Sequence, residues 1–141
     1  MSNVFTVQRR VQFAETDMAG IVHFANFYRW MEEAEHAYFR SIGTSIMVKQ
    51  DDGSYIGWPR VNASCHFQAP AFHDDILEIR LQVERVGFKS VTFYCEFYRD
   101  DKRLAHGRMK TACCICGTGN TLTSIEIPEP YRSKFEEMVD E

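Results

Sequence analysis

The residues able to do chemistry concentrate in one stretch, Phe13 to Gly43, which reads FAETDMAGIVHFANFYRWMEEAEHAYFRSIG. Its first third is a short polar, glycine-containing turn with Glu15, Thr16, Asp17, Gly20 and His23, and its remainder carries a helical pattern. A carboxylate in a loop that feeds straight into a helix has two reagents at hand. The side chain is a base or nucleophile, and the helix start offers N–H groups without intrahelical acceptors and a partial positive charge. Asp17 is therefore the candidate catalytic residue. Gly20 lets the backbone take a positive φ or approach a substrate with no side chain in the way. His23 and Asn26 are candidates for fixing the loop or a bound molecule. The competing reading of Asp17 is a loop carboxylate that serves only as a charge partner of the helix end.

The elements that must position these residues are legible as patterns. Phe5 to Phe13 alternates as a half-buried strand, with Arg9 the misfit on its apolar face. After the loop, Phe27, Met31, Ala34, Tyr38 and Ile42 fall on one helical face, widened by Tyr28 and Trp30. Arg29, Glu32, Glu33, His36 and Arg40 fall on the other, and Gly43 is a natural stop. Thr44 to Trp58 reads as a second short helix or a loop followed by a turn. From Pro59 the period is two, predicting strands over 61–67, 77–84, 91–98, 105–115 and 121–127, and Pro128 to Val139 reads as a short helix entered through Pro130. Hairpin-length connections make the strands antiparallel. One apolar face per strand and a wide apolar helix face predict an α+β fold, one curved sheet packed on the long helix, as a single domain over residues 1–141. Such a sheet has open edges, and side-by-side pairing of two copies would cover them.

Composition narrows the function classes. The chain of 141 residues is 45% apolar and 26% charged, ordinary for a globular domain, and its net charge of −4 gives no general attraction to nucleic acid or to an anionic membrane. Aromatic residues make up 13%, with 11 phenylalanines, so the core or a pocket should be rich in rings. The N-terminal MSNVFTVQRR lacks the apolar core of a signal peptide, and no stretch approaches a membrane span. Five cysteines, an odd number, fit reduced thiols in a cytoplasm. The Cys113-Cys114-x-Cys116 run lacks paired zinc-ligand spacing and reads as strand cysteines, with Cys114 and Cys116 on one face and Cys113 on the other; no metal site is expected. His36, His66, His73 and His106 fall at polar positions of the pattern, where a solvated face is the default.

Asp17, Gly20-Ile21-Val22, the aromatic Phe24, Asn26, Phe27 and the run Trp30-Met31-Glu32 resemble the hotdog-fold acyl-CoA thioesterases of the 4-hydroxybenzoyl-CoA thioesterase type. Phe13 and the Gly87-Phe88-Lys89-Ser90 step add to the match, and the order of elements agrees along most of the chain. The resemblance implies a hotdog fold, a long central helix wrapped by a curved antiparallel sheet of five to six strands, assembled as a homodimer or homotetramer. It implies hydrolysis of an acyl-CoA to a carboxylic acid and coenzyme A with no separate cofactor. Asp17 would act as base or nucleophile, and the backbone N–H of Phe24 would hold the oxyanion, a role the helix start also supports. The acyl group would lie near Phe27, Tyr28 and Met31. Arg85, Lys89, Arg99, Lys102 and Arg103 all fall near strand ends; Arg85 and Lys89, with Ser90, are the choice for the coenzyme A phosphates, since Lys89-Ser90 matches the family position closest to the nucleotide. A related branch places an aromatic before a histidine where this chain has His23 before Phe24, so that histidine's role does not transfer directly. In another branch the carboxylate lies on the helix, where Glu32, Glu33 and Glu35 stand, and Asp17 is the better match. The rival functions are a non-catalytic acyl-CoA-binding hotdog module and a hotdog hydratase or dehydratase, whose usual histidine motif this loop does not show.

Overall fold

In the computed structural model, which describes residues 3–117 and 119–139, the chain begins with β1 (Phe5–Arg10), a single 3-10 turn (Phe13–Glu15) and the helix α1 (Ala25–Ser41). It continues through β2 (Met47–Lys49), β3 (Tyr55–Gly57), β4 (Arg60–Phe67), β5 (Ile76–Val86), β6 (Ser90–Arg99) and β7 (Lys102–Ala112). It ends with β8 (Cys114–Cys116), β9 (Leu122–Ser124) and α2 (Tyr131–Val139). The long alternating strands form one antiparallel sheet in the order β1-β5-β6-β7-β4. Leu77, Ile79, Leu81 and Val83 of β5 and Val91, Phe93, Cys95 and Phe97 of β6 are all buried, the period of two made physical. Onto this face α1 packs Phe27, Trp30, Met31, Ala34, Tyr38 and Phe39. Edge-on ring contacts lock the layers, as where Phe27 meets Phe97 with centroids 5.1 Å apart.

The Met31 side chain of α1 reaches the sheet backbone at Gly107 on β7. A Cβ there would run into the Ser64 carbonyl oxygen and come within 2.9 Å of Met31 Sδ. Gly107→Ala is therefore expected to cost about 1–3 kcal/mol through overpacking, measured as a lowered urea midpoint with unchanged m-value.

Three elements differ from the sequence reading. Thr44 to Trp58 is neither a helix nor a plain loop: Met47–Lys49 and Tyr55–Gly57 pair as a hairpin about Asp51-Asp52-Gly53, where Gly53 takes φ +90°. Three residues per strand are too few to display a period. The strand expected over 105–115 is two strands in different sheets, broken at Cys113, whose N–H turns aside to Lys89 O at 2.8 Å. That break buries Cys113 and Cys114 together, where an unbroken strand would have set them on opposite faces. The final strand is only Leu122–Ser124, and the sheet of five to six strands resolves into five, with β2-β3-β8-β9 making a second sheet.

The two edges of the large sheet are covered differently. β1 pairs with β5 only from Ile76 to Leu81, and α2 packs on β5 as well. At the other edge β4 bonds only to β7, and its outer side has no strand partner among the described residues. Val61 and Phe67 on β4 stay 58% and 46% exposed, an apolar strand edge of the kind natural proteins usually cover. No helix among the described residues is long and apolar enough to cross a membrane.

Inside the fold sits a charge the sequence reading did not place. Glu35 is 2% exposed and is gripped by Arg60 through two hydrogen bonds of 2.9 and 3.1 Å, with Thr111 donating at 3.2 Å. His36, read as solvated, turns its Nε2 inward to 3.9 Å from the same carboxylate. His66, read as solvated, is exposed, and it stacks across β4 and β7 on the half-buried His106 with centroids 5.3 Å apart.

Candidate active site

The Asp17 loop is a tight hairpin. Thr16 and Val22 bridge antiparallel, Asp17 N–H donates to Ile21 O, and Gly20 N–H donates to Asp17 O, both at 2.9 Å. Gly20 takes φ +82°, the conformation the turn requires and the reason a glycine stands there. Asp17 also serves its own turn: Oδ1 accepts the Ala19 N–H at 2.8 Å. This leaves Oδ2 without a hydrogen bond among the described residues, and the side chain is exposed.

The loop is fastened to the helix by Glu15, whose importance the sequence reading missed. Its carboxylate accepts from Gln12 N–H at 2.7 Å, from Trp30 Nε1 at 3.2 Å and from Arg9. Its carbonyl accepts from His23 N–H and from Asn26 Nδ2, both at 2.9 Å. Arg9, the misfit of β1, thereby finds its reason: it pairs with Glu15 and Glu33 and lies 5.6 Å from the centre of the Trp30 ring. The readable trace of this hub was Gln12-x-x-Glu15, the reciprocal capping pattern of a short helical turn. Asn26 is buried and fixes the loop. Asn26→Ala takes from the Glu15 carbonyl one of its two donors and leaves it the His23 N–H. A loss of about 0.5–1.5 kcal/mol in urea unfolding is expected, together with a fall in kcat larger than the change in KM.

Phe24 stands at the helix start with φ −57° and ψ −30°, and its N–H has no acceptor among the described residues. His23 is exposed, its ring 4.9 Å from that of Phe24, and its Nδ1 accepts the Ala25 N–H at 3.4 Å. Asp17, Val22, Phe24 and Phe27 line an open pocket of about 550 Å³ whose far wall is Phe67 to Ala71. Val22 N–H donates to Ala71 O at 2.9 Å, stitching the two walls. The contribution of Phe67 was not anticipated; the only sequence signal was its place as the last apolar residue of a strand before Pro70.

The other expected residues are distributed differently. Of the three proposed for the acyl group, Phe27 shares the pocket with Asp17. Tyr28 and Met31 line a second cavity of about 210 Å³ with Arg60 and Ala63, and Met31 is fully buried. Arg85, Lys89 and Ser90 lie about the β5–β6 hairpin, the first two exposed and Ser90 half-buried. The Asp17 loop is at the opposite end of the sheet, beside Asp75, whose O accepts the Val11 N–H at 2.8 Å. From there to Arg85 is roughly 30 Å along the strand. One chain alone does not bring these groups together. Arg99 and Arg103 lie at the Asp17 end, but bind Asp75 at 2.7 Å and Glu96 at 2.9 Å. Glu33 and Glu35 on α1 are likewise taken by arginines.

No cluster among the described residues could hold a metal ion. All five cysteines are free, and burial pushes the thiol of Cys65 up to about 11 and that of Cys95 further, away from nucleophile chemistry.

Residues 19–106, more than half of the chain, match the family model of the thioesterase superfamily. The chain is 28% identical to the 4-hydroxybenzoyl-CoA thioesterase of Pseudomonas sp. (strain CBS-3) over 139 residues, covering 93% of this chain and 96% of that protein. The crystal structure of a 1,4-dihydroxy-2-naphthoyl-CoA thioesterase from Synechocystis superposes with a TM-score of 0.81 at 25% identity, covering 96% of this chain and 97% of that one. A gentisyl-coenzyme A thioesterase does so with a TM-score of 0.77 at 32% identity, covering 91% and 99%. With a long helix laid on an antiparallel sheet and relatives matched along nearly their whole length, the chain belongs to the thioesterase superfamily, and it is a thioester hydrolase of the hotdog fold.

Proposed function

We propose that the protein hydrolyses an acyl-CoA thioester to the carboxylic acid and free coenzyme A, with Asp17 as base or nucleophile. The observation that carries this is the meeting, on the walls of one apolar pocket, of a carboxylate with an oxygen to spare and a helix-start residue whose amide has no acceptor. With the thioester carbonyl in that pocket, Asp17 either attacks it to form a mixed anhydride or takes a proton from an attacking water. In both routes the carbonyl π electrons move onto oxygen, where the Phe24 N–H and the helix start stabilise the charge. Collapse of the tetrahedral species then expels the thiolate of coenzyme A, leaving the carboxylic acid in the water route and, in the other, an anhydride that a water cleaves to the acid and the free Asp17 carboxylate. A single donor of this kind is worth about 3–4 kcal/mol in comparable sites. The named relatives act on aryl-CoA thioesters, and the rings of Phe24, Phe27 and Phe67 suit an apolar acyl group.

The cations for the coenzyme A phosphates are then supplied by assembly. Antiparallel pairing of β4 with the same strand of a second copy covers the exposed edge. It also sets the β5–β6 hairpin end of one chain beside the Asp17 end of the other. In such a homodimer each site takes its carboxylate from one protomer and Arg85, Lys89 and Ser90 from its partner, and two dimers can join as a tetramer. The five free thiols fit a reducing, cytoplasmic setting.

The test is a thiol-release assay over short, medium, long and aromatic acyl-CoAs, run beside light-scattering mass measurement. Turnover of at least one acyl-CoA by a species of two or four chains is expected. Tight binding of acyl-CoA without thiol release, or cleavage confined to thioesters lacking coenzyme A, overturns the reading.

A further inference from the structure

Two cavities lie in line in the groove between α1 and β4. The first contains Asp17 and is bounded by Phe24, Phe27 and Phe67; the second is bounded by Tyr28, Met31, Arg60 and Ala63. On the helix, Phe27 and Met31 are one turn apart, about 6 Å along the axis, and share a face. On the strand, Phe67 and Ala63 are four residues apart, roughly 13 Å, and period two puts them on one face with Cys65 between. Phe67 is the bulky member of that row, Cys65 and Ala63 the small ones. Its ring meets Phe27 edge-on at 5.3 Å and Phe24 at 6.2 Å, spanning the groove from strand to helix where the first cavity ends. Deeper in, the Met31 side chain fills the space over Gly107 of β7, opposite Cys65, where a Cβ would come within 2.9 Å of its sulfur.

We propose that Phe67 is a specificity-determining residue, the partition that closes the acyl pocket against the second cavity and so sets the length of acyl group the site takes. This rests on the acyl-CoA reading above. An acyl chain entering past Asp17 meets the Phe67 ring before it reaches Met31 and Ala63. Removing the ring opens the inner end of the first cavity toward the second, past Cys65 and the Met31 side chain, which is flexible enough to move aside. Each further methylene buried there favours the longer substrate by about fourfold. At the end of an edge strand and 46% exposed, Phe67 is open to substitution without emptying the core.

The experiment measures kcat/KM over straight-chain acyl-CoAs from butyryl to dodecanoyl for the unaltered protein, Phe67→Ala, Phe67→Leu and Phe67→Trp. Phe67→Ala is expected to raise the octanoyl-to-butyryl ratio at least tenfold, Phe67→Leu to raise it by a smaller step, and Phe67→Trp to lower it. Opposite shifts with larger and smaller side chains separate a partition from general loosening of the fold, which would depress all substrates alike. A ratio that stays the same in all three variants while butyryl-CoA is still cleaved overturns the partition alone. Failure of the unaltered protein to release coenzyme A from any of the series overturns the acyl-CoA reading and the partition with it.

Discussion

Replacing Asp17 with asparagine is expected to lower kcat about 10²–10⁴-fold while leaving KM and the urea midpoint close to those of the unaltered protein. The two roles of this side chain separate cleanly in that variant. Asparagine is as well suited as aspartate to open a tight turn, and its amide oxygen can still accept the Ala19 N–H that Asp17 Oδ1 accepts at 2.8 Å. Gly20 keeps its positive φ, the Thr16–Val22 bridge is untouched, and Glu15 still holds His23 and Asn26. What disappears is the second carboxylate oxygen as base or nucleophile, equivalent to about 3–5 kcal/mol of activation free energy. Steady-state thiol release and equilibrium unfolding on the same preparation decide the matter. Full activity in the variant removes Asp17 from the mechanism. Activity lost together with stability would mean that the aspartate serves the turn and nothing else.

The largest effect on stability is expected from Arg60→Met, a loss of about 3–5 kcal/mol, read as a fall in the urea midpoint. The pair is asymmetric: the Arg60 side chain is 26% exposed and the Glu35 side chain 3%. Taking away the guanidinium leaves a carboxylate beneath α1 with only Thr111 to donate to it. Glu35→Gln should be milder, because Arg60 can lean outward to water and to Glu32, 3.6 Å away. Arg60→Met combined with Glu35→Met should recover most of the loss, since an apolar pair of similar volume avoids the desolvation of both charges. A double variant no more stable than Arg60→Met alone would count against this account.

How much of this was readable in the sequence depended on the range of each interaction. The Asp17 turn was legible because an aspartate and a glycine three residues on are themselves the instructions for a tight turn. The long strands and the helix were legible because their periods run for many residues. The β2–β3 hairpin was not, with three residues to a strand. Glu35 stands midway between Met31 and Phe39 on the buried stripe of α1, yet its partners are 25 and 76 residues away, so a helical wheel shows only a carboxylate in an apolar row. Glu15 and Phe67 matter through contacts that appear only when β1, α1 and β4 are brought together. The separation of Asp17 from Lys89 follows from sheet topology: each sits at a chain reversal, and the strands between carry the reversals to opposite ends.

β4 is at once the free edge of the sheet and a wall of both cavities. Whatever pairs with that edge therefore reaches the acyl-binding groove directly. In the paired form proposed above, the amount of protein present becomes a variable of its own chemistry. Dilution that frees β4 takes away the phosphate-binding half of each site and loosens the strand that carries Phe67, so rate and substrate preference fall away together. A hydrolase built this way responds to its own abundance with no separate regulatory site.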